Sequence, residues 1–487
     1  MPLLSPPADR SYSARRVQFV ALTGVACSSF AITVLSAALA DIADDLHTTT
    51  SVITWVISAP LLAFAVFTPM AGKLGDLYGH RQIYLLGFAG AAVFSLATAA
   101  APNALFLIVF RVLAQSCSAS TGPSALAIIM SVFPDDRRTH VTGTWSAVLA
   151  ASPAVGVVIG GPLIDATSWR ILFIIQGIGM AVAVLMAWRV LPGTERHEQR
   201  GFDLTGSLLL ATGVGMLLIA INRASALGWS HPLIATGLIL SPFALLAFGL
   251  WERRTITPLV NLTALRNPNV ALPIVSQVFL NGPYMAGLVL TSLLLASVFD
   301  LNTTAISLMI LPRPIAFATG ASLAGSLVTR FGGRVIVTIG LSGIVGGLGL
   351  IGVAAELDNL VLVGVGVSLA GFGSGMARPP IIAALTEAVG DHDVGVGTGL
   401  LNMAGQLGAA AGISILGALV DNGSDGRRFF TVLAIAAAVS LVAIVLSTGI
   451  RFSRNRPSTS STASPTAPYS AVLGVHGPRN PERNSDQ

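Results

Sequence analysis

A short charged segment, residues 72–81, has the residue types and spacing of a molecular latch. It reads Gly-Lys-Leu-Gly-Asp-Leu-Tyr-Gly-His-Arg and lies between two long apolar runs. Its glycines allow a tight turn and a close backbone approach. Asp76 and Arg81 can pair with each other or with helix ends, and a partly buried pair makes a switch because breaking it leaves an uncompensated charge. We predict a latch formed by Gly72, Asp76, Gly79 and Arg81; the alternative is a basic turn with no specific role.

A fainter copy of this segment occurs at residues 325–334, which read Gly-Ser-Leu-Val-Thr-Arg-Phe-Gly-Gly-Arg. Both copies combine glycines with basic residues at the junction of two apolar runs. Two copies of one junction in one chain indicate an internally duplicated membrane protein. Internal repeats of this kind are common in secondary transporters.

Several arginines lie within apolar runs. Arg111 and Gln115 are one helical turn apart and share a face, and Arg313 lies midway along a later run with a proline on either side. An arginine this deep in a membrane is costly and usually functional, so we predict a functional role for both arginines, and Arg313 can contact an anionic substrate group. The alternatives are a structural partner for backbone carbonyls at Arg111 and a broken helix end at Arg313. Arg378 lies nearer the end of its run, where snorkelling explains it.

Small and polar residues mark three other runs. Two polar stripes at helical spacing either face a water-filled cavity or hold helices together. The stripes are Ser29, Thr33 and Ser36 in the first run, and Gln277, Asn281 and Tyr284 in the ninth. The fifth run is rich in glycines, which permit close helix contact, and in prolines, which add a bend. Its members are Pro153, Gly156, Gly160, Gly161 and Pro162.

The composition indicates a membrane protein. Of the 487 residues, 53% are hydrophobic and 10% are charged, whereas a soluble domain is about 25% charged. Apolar runs of roughly 20 residues recur, and each is long enough to span a bilayer. Basic residues are scattered over short loops, which argues against nucleic-acid binding. All seven histidines fall in loops or tails and the two cysteines fall inside spans, so we predict no metal site and no cofactor.

The apolar runs predict an all-α polytopic membrane protein with about fourteen spans. The spans lie near residues 17–40, 52–71, 83–101, 104–131, 141–165, 171–191, 204–222, 233–251, 270–298, 303–327, 335–354, 359–384, 395–420 and 429–450. The predicted organisation is a disordered N-terminus at 1–14, a six-helix bundle at 15–191, an inserted two-helix hairpin with polar connectors at 192–268, a second six-helix bundle at 269–451 and a disordered tail at 452–487. Basic residues concentrate on one side of these spans, which predicts that both termini are cytoplasmic.

These features resemble the major facilitator superfamily of transporters over nearly the whole chain except the two tails. Residues 72–81 are similar to the signature loop between spans two and three of that superfamily. Arg111 and Gln115 match its span-four pattern, with Ser116 in place of a glycine. The resemblance implies that they belong, with Arg313, to a proton or substrate pathway. Residues 169–173 resemble the Trp-Arg-x-x-Phe segment that opens span six in the fourteen-span drug/proton antiporter branch.

The resemblance has further implications. In this superfamily the first and fourth spans of each bundle line the cavity, which favours a cavity role for both polar stripes. The fifth span resembles the antiporter motif, although Gly156 is followed by valine where that motif has Gly-Pro. The branch commonly has an aspartate in the middle of span one, where this chain has Ala31. Proton antiport is therefore implied by the resemblance, while no acidic residue lies firmly within a span.

We predict a monomeric bacterial transporter of the plasma membrane that exports small hydrophobic or amphiphilic compounds by alternating access, with protons as the expected coupling ion. One alternative is a facilitator or exporter of an anionic or neutral metabolite, because Arg111 and Arg313 have no matching acid. Another is a membrane sensor that binds a ligand without transporting it. An enzyme would need a nucleophile, a base or a metal set within the spans, and the sequence offers none.

Overall fold

The structure, a computed structural model, describes residues 13–29, 42, 44–48, 52, 55–133, 137–193, 201–301, 303–390, 393–420 and 425–452. Helices dominate this part of the chain, and it contains no strand. In chain order the helices are α1 (Ala14–Ser29), α2 (Trp55–Tyr78), α3 (His80–Ala99), α4 (Ala104–Ser118), α5 (Thr121–Val132), α6 (Arg138–Ala166), α7 (Arg170–Val190), α8 (Leu204–Leu227), α9 (Pro232–Glu252), α10 (Pro268–Ser297), α11 (Thr303–Ile310), α12 (Pro312–Phe331), α13 (Gly333–Glu356), α14 (Leu360–Val389), α15 (Val394–Gly417) and α16 (Gly426–Thr448).

Twelve helical segments among the described residues are long and apolar enough to cross a membrane. They correspond to twelve of the predicted spans, and two of these spans are each built from two consecutive helices, α4 with α5 and α11 with α12. The other two predicted spans correspond to α1, whose continuation at 30–41 lies outside the described residues, and to α6, a helix of 29 residues. The all-α membrane fold is confirmed, and the count of fourteen stays a prediction.

The two repeated segments each contain a glycine that separates consecutive helices. Gly79 has a φ of 93° between α2 and α3, and Gly332 has a φ of 86° between α12 and α13. Residues with side chains rarely adopt such angles, so glycine allows the chain to reverse with almost no loop. The prediction of a charged loop at 72–81 was wrong for residues 72–78, which form the last two turns of α2. The charge of Asp76 is accommodated in this helix because the carboxylate binds two amides of the first turn of α15.

The helices before and after the α8–α9 pair pack in corresponding ways. In the first set, α1 to α7, α3 packs against α4 and α7, α2 against α4, and α1 against α7. In the second set, α10 to α16, α13 packs against α14 and α16, α12 against α14, and α10 against α16. When α1, α2, α3, α4 and α7 are matched in chain order with α10, α12, α13, α14 and α16, the contacting pairs are the same. The two sets therefore share one architecture.

Helices α8 and α9 form a hairpin, and α8 packs against α2 of the first set and α15 of the second. Two buried carboxylates lie at the end of the hairpin where α8 begins and α9 ends. Asp203 caps α8 by accepting a hydrogen bond from the Gly206 amide at 2.8 Å, and it accepts another from Trp251 Nε1 at 3.0 Å. Glu252 Oε1 accepts from two backbone amides of the following segment, at 3.1 and 3.3 Å. The hairpin is therefore fixed at its Asp203 end by polar contacts.

We expect Asp203→Ala to lower the free energy of unfolding by about 2 kcal/mol, because it removes a helix cap and the acceptor for the Trp251 indole. Chemical denaturation of the purified protein in detergent measures this loss. The matched control is Asp425→Ala, which removes the exposed cap of α16 and is expected to cost about 1 kcal/mol or less. Equal losses in the two variants would contradict the role given to the Trp251 contact.

Candidate functional site

The two sets of helices meet most closely where α2 contacts α15. A Cβ atom on Gly72 would lie 2.1 Å from the carbonyl oxygen of Gly395, and one on Gly399 would lie 2.6 Å from Cα of Pro69. Cβ atoms do not approach backbone atoms this closely, so glycine is required at both positions. The contact lies at the end of the molecule where Gly79 joins α2 to α3, which we call the Gly79 end.

Asp76 connects the two sets at the Gly79 end. Its side chain is buried, Oδ1 accepts a hydrogen bond from the Gly395 amide at 3.1 Å, and Oδ2 accepts one from the Val396 amide at 3.0 Å. These amides belong to the first turn of α15, so the carboxylate both caps that helix and lies at the positive end of its dipole. His80 Nε2 lies 3.0 Å from Oδ1. One carboxylate of α2 thus holds the start of α15.

Arg81 makes a comparable contact within the first set. It is 2% exposed, and its Nη2 donates a hydrogen bond to the Trp188 carbonyl oxygen, in the last turn of α7, at 2.8 Å. A cation is favourable at a helix C-terminus because the unpaired carbonyls there carry partial negative charge. The sequence left two options open for Asp76 and Arg81, pairing with each other or binding to helix ends. The hydrogen bonds described here bind helix ends.

A second close contact joins α6 to α12. A Cβ atom on Gly143 would lie 2.4 Å from a carbonyl oxygen of α12, and one on Gly325 would lie 2.6 Å from Cα of His140. Thr142 Oγ1 lies 3.2 Å from the Pro379 carbonyl oxygen in α14 and 3.0 Å from two carbonyl oxygens of its own helix, so its single proton is shared among these acceptors. In both contacts the second span of one set meets the fifth span of the other. Together they close the Gly79 end from two sides.

Arg111 lies in a polar network inside the first set. It is 3% exposed, its Nη1 donates to Gln176 Oε1 at 3.5 Å, and its guanidinium carbon lies 5.0 Å from the centre of the Phe173 ring. Ser95 Oγ donates to the same Gln176 oxygen at 3.2 Å, and Gln176 Nε2 donates to the Ser28 carbonyl oxygen at 3.3 Å. The network therefore joins α4 to α1, α3 and α7.

Gln176 connects the other members of this network, and the predicted site did not include it. The sequence feature that could have identified Gln176 is its polar side chain within the apolar run at 171–191. Only the folded chain brings it beside Arg111, 65 positions away. Gln115, predicted to share the face of Arg111, is buried as well. Arg111 Nε is buried with no hydrogen-bond partner, so this guanidinium keeps one unused donor.

Two arginines of the second set approach the same aromatic ring. The guanidinium carbon of Arg313 lies 3.7 Å from the centre of the Tyr284 ring, and Arg313 donates to the Tyr284 carbonyl oxygen. The guanidinium carbon of Arg378 lies 5.8 Å from the same centre and 5.6 Å from that of Phe317, and Arg378 donates to Asn281 Oδ1. The prediction that Arg378 snorkels was wrong, because its head group has partners inside the second set.

The predicted polar stripe on α10 is buried, with Gln277, Asn281 and Tyr284 each 6% exposed. Asn281 Nδ2 donates to the Gly405 carbonyl oxygen of α15 at 2.7 Å, and Gln277 lies beside the same glycine. The stripe thus bonds to α15 at one end and faces the arginines at the other.

Other predicted positions lie outside the described residues: Thr33 and Ser36 entirely, and the side chains of Ser29, Pro153, Gly156, Gly160, Gly161 and Pro162.

A polar contact near the start of α7 lies at the opposite end from Gly79. Arg170 donates a hydrogen bond to Asp45 Oδ2, and its guanidinium carbon lies 4.3 Å from the centre of the Trp169 ring. The hydrogen bond from Arg170 is the main reason why the pKa of Asp45 lies below its ordinary value. The contact holds Asp45 against the start of α7.

Two matching sets of spans, joined through glycines and one carboxylate and containing buried arginines, define a multi-pass membrane transporter. The family described as Major Facilitator Superfamily matches residues 21–413 and 278–479. The chain belongs to this family.

Bacterial relatives of the chain have names that refer to antibiotic resistance. The chain is 30% identical over 407 residues to the tetracenomycin C resistance and export protein of Streptomyces glaucescens, covering 82% of this chain and 74% of that protein. It is 29% identical over 436 residues to the puromycin resistance protein pur8 of Streptomyces alboniger, covering 84% and 85%. The fold matches the human organic anion transporter MFSD10 (TETRAN) with a TM-score of 0.63 at 17% identity, covering 89% of this chain and 99% of that one.

Proposed function

We propose that this transporter exports small hydrophobic or amphiphilic compounds, antibiotics among them, from a bacterial cell by alternating access. The export and resistance names of its relatives support this substrate range. In the proposal the protein acts as a monomer in the plasma membrane with both termini in the cytoplasm. The Gly79 end is then cytoplasmic, in keeping with basic residues such as Lys73, Arg81 and Arg334 near it.

The observation that carries the proposal is the pair of contacts that close the Gly79 end. They consist of glycine-to-backbone packing and one carboxylate bound to two amides, so they can separate without unfolding either set. Separation costs the hydrogen bonds of Asp76 and exposes the α15 N-terminus. A ligand that binds better when this end is open offsets that cost, which is what a two-state transporter requires.

Protons are the proposed driving ion. Asp76 is a carboxylate at a contact that must break during transport, and His80 is a second titratable group next to it. The α15 N-terminus binds the negative charge of Asp76, so neutralising that charge favours opening of the cytoplasmic side. In the proposal, the inward proton gradient is the energy source for the outward movement of a substrate.

The experiment is a susceptibility profile of cells with and without this gene, repeated with Arg111→Ala. We expect the wild-type gene to raise the inhibitory concentration of several amphiphilic antibiotics, and Arg111→Ala to reduce export about tenfold, because it removes a buried charged hydrogen bond. The matched control is Arg189→Ala, at the exposed end of α7, which should behave as wild type. An unchanged profile with the wild-type gene would favour a sensor or a metabolite carrier instead.

A further inference from the structure

Two arginines inside the second set, Arg313 and Arg378, have no negatively charged partner among the described residues. The guanidinium carbons of Arg313 and Arg378 lie 3.7 and 5.8 Å from the Tyr284 ring centre. No ion pair among the described residues joins either arginine to a carboxylate. The helices that carry this cluster, α10, α12 and α14, contain one acid, Glu387, which lies near the end of α14. Like charges this close in a low-dielectric region repel each other unless an anion lies between them.

The cluster lies deep in the molecule and beside the first set. Arg378 lies about 27 Å along α14 from its first residue and about 16 Å from its last, at 1.5 Å per residue. Tyr284 and Phe317 form a buried apolar cluster against which Ala147 of α6 packs. The arginines therefore lie where the two sets face each other, which is where alternating access places the substrate.

Donor groups remain available at both guanidiniums. Each guanidinium has five N–H groups. Arg313 uses one of its own for the Tyr284 carbonyl oxygen, and Arg378 uses two of its own for Asn281 and Ser374. A cavity of about 10 Å³ is lined by Arg313 and Tyr284 together with mostly apolar residues of α10, α13 and α14, and it has room for about one water molecule. This cavity is too small for a ligand head group and does not reach Arg378. A ligand must therefore reach the two guanidiniums from the side that faces α6, where the two sets separate.

We propose that Arg313 and Arg378 bind the anionic group of an amphiphilic organic acid whose apolar part lies against Tyr284 and Phe317. This inference rests on the proposed export function and specifies its substrate class. A carboxylate or sulfonate accepts hydrogen bonds from planar guanidinium groups and removes their mutual repulsion. The aromatic rings supply a flat apolar surface for the remainder of the ligand. An organic cation of the same shape is disfavoured, because it adds a third positive charge.

The test uses two probes that share a xanthene skeleton, fluorescein as the anion and rhodamine 123 as the cation. Fluorescence anisotropy measures the binding of each to the purified full-length protein in lipid nanodiscs. We expect the wild-type protein to prefer fluorescein, and Arg313→Gln and Arg378→Gln each to weaken fluorescein binding about tenfold or more. Rhodamine 123 binding should change less than about twofold in these variants or improve.

The matched control is Arg330→Gln, which changes an exposed arginine of the same helix as Arg313 and should bind fluorescein as wild type. Arg378→Lys keeps the charge but loses the planar guanidinium, so its fluorescein affinity should lie between those of Arg378→Gln and the wild type. Thermal unfolding of each variant establishes that it is folded. If the wild-type protein binds rhodamine 123 tightly and does not bind fluorescein, the proposed anion site is overturned. Unchanged fluorescein binding in folded Arg378→Gln protein also overturns it. Resistance to cationic drugs alone would contradict the anionic substrate class and leave the export function standing. Fluorescein binding without any resistance or transport would contradict the export function and leave the anion site standing.

Discussion

In an Asp76→Asn variant, the contact at the Gly79 end is expected to open about 30-fold more often. Asp76 binds two amides of the α15 N-terminus with a full negative charge, and neutralising such a group costs about 2 kcal/mol, or roughly a factor of 30. The reporter is Thr142→Cys in a background with Cys27→Ala and Cys117→Ala. Thr142 is fully buried at the α6–α14 contact, so its alkylation rate follows opening.

Asp393 provides a control for Asp76 at the same interface. Its Oδ1 lies 3.9 Å from Lys73 Nζ, and its side chain is 41% exposed whereas that of Lys73 is 10% exposed. Because solvent screens the exposed carboxylate, we expect this pair to contribute about 1 kcal/mol or less. Asp393→Asn should therefore raise the alkylation rate less than about fivefold. If both variants accelerate alkylation equally, the specific role of Asp76 as the latch is refuted.

A Gly72→Ala variant should lose export almost completely. The added Cβ would lie 2.1 Å from the Gly395 carbonyl oxygen, and this backbone atom has no way to move without separating α15 from α2. Overpacking of this kind costs about 3 kcal/mol, which shifts the closed state about 100-fold. Alanine favours a helix more than glycine does, so any loss must come from the contact between the two sets. Export of a labelled substrate from loaded cells measures the effect.

Gly349→Ala is the control for this substitution. Gly349 lies within α13 and has no atom within 4 Å of an added Cβ, so alanine there should leave export unchanged and stabilise the helix by about 0.5 kcal/mol or more. Wild-type export by Gly72→Ala would show that the close approach of α2 to α15 is not needed during the cycle.

The spans and the duplicated junction were predictable because they depend on local sequence. Runs of about 20 apolar residues specify membrane helices wherever they occur. The pairing of Gly79 with Gly332 followed from two similar segments, and both glycines adopt a positive φ. The helical state of residues 72–78 was not predictable in this way. Charged residues normally indicate a solvated loop, and here Asp76 stays in a helix because α15 binds it.

The side-chain partners depend on contacts between distant parts of the chain. Arg378 has the same local pattern as a snorkelling arginine, and only the position of Asn281, 97 residues away, shows that its head group lies inside. Gln176 and Arg111 are separated by 65 positions. A single sequence shows which residues are polar and where they lie on a helix. It does not show which helices become neighbours.

Distance measurements between spin labels at both ends of the molecule test the alternating-access account most directly. One pair is Ser131→Cys with Arg334→Cys at the Gly79 end, and the other is Pro102→Cys with Glu356→Cys at the opposite end; all four positions are exposed. When protons or a transported compound are added, we predict that the first distance lengthens while the second shortens. Two distances that stay fixed, or that change in the same direction, would contradict the account.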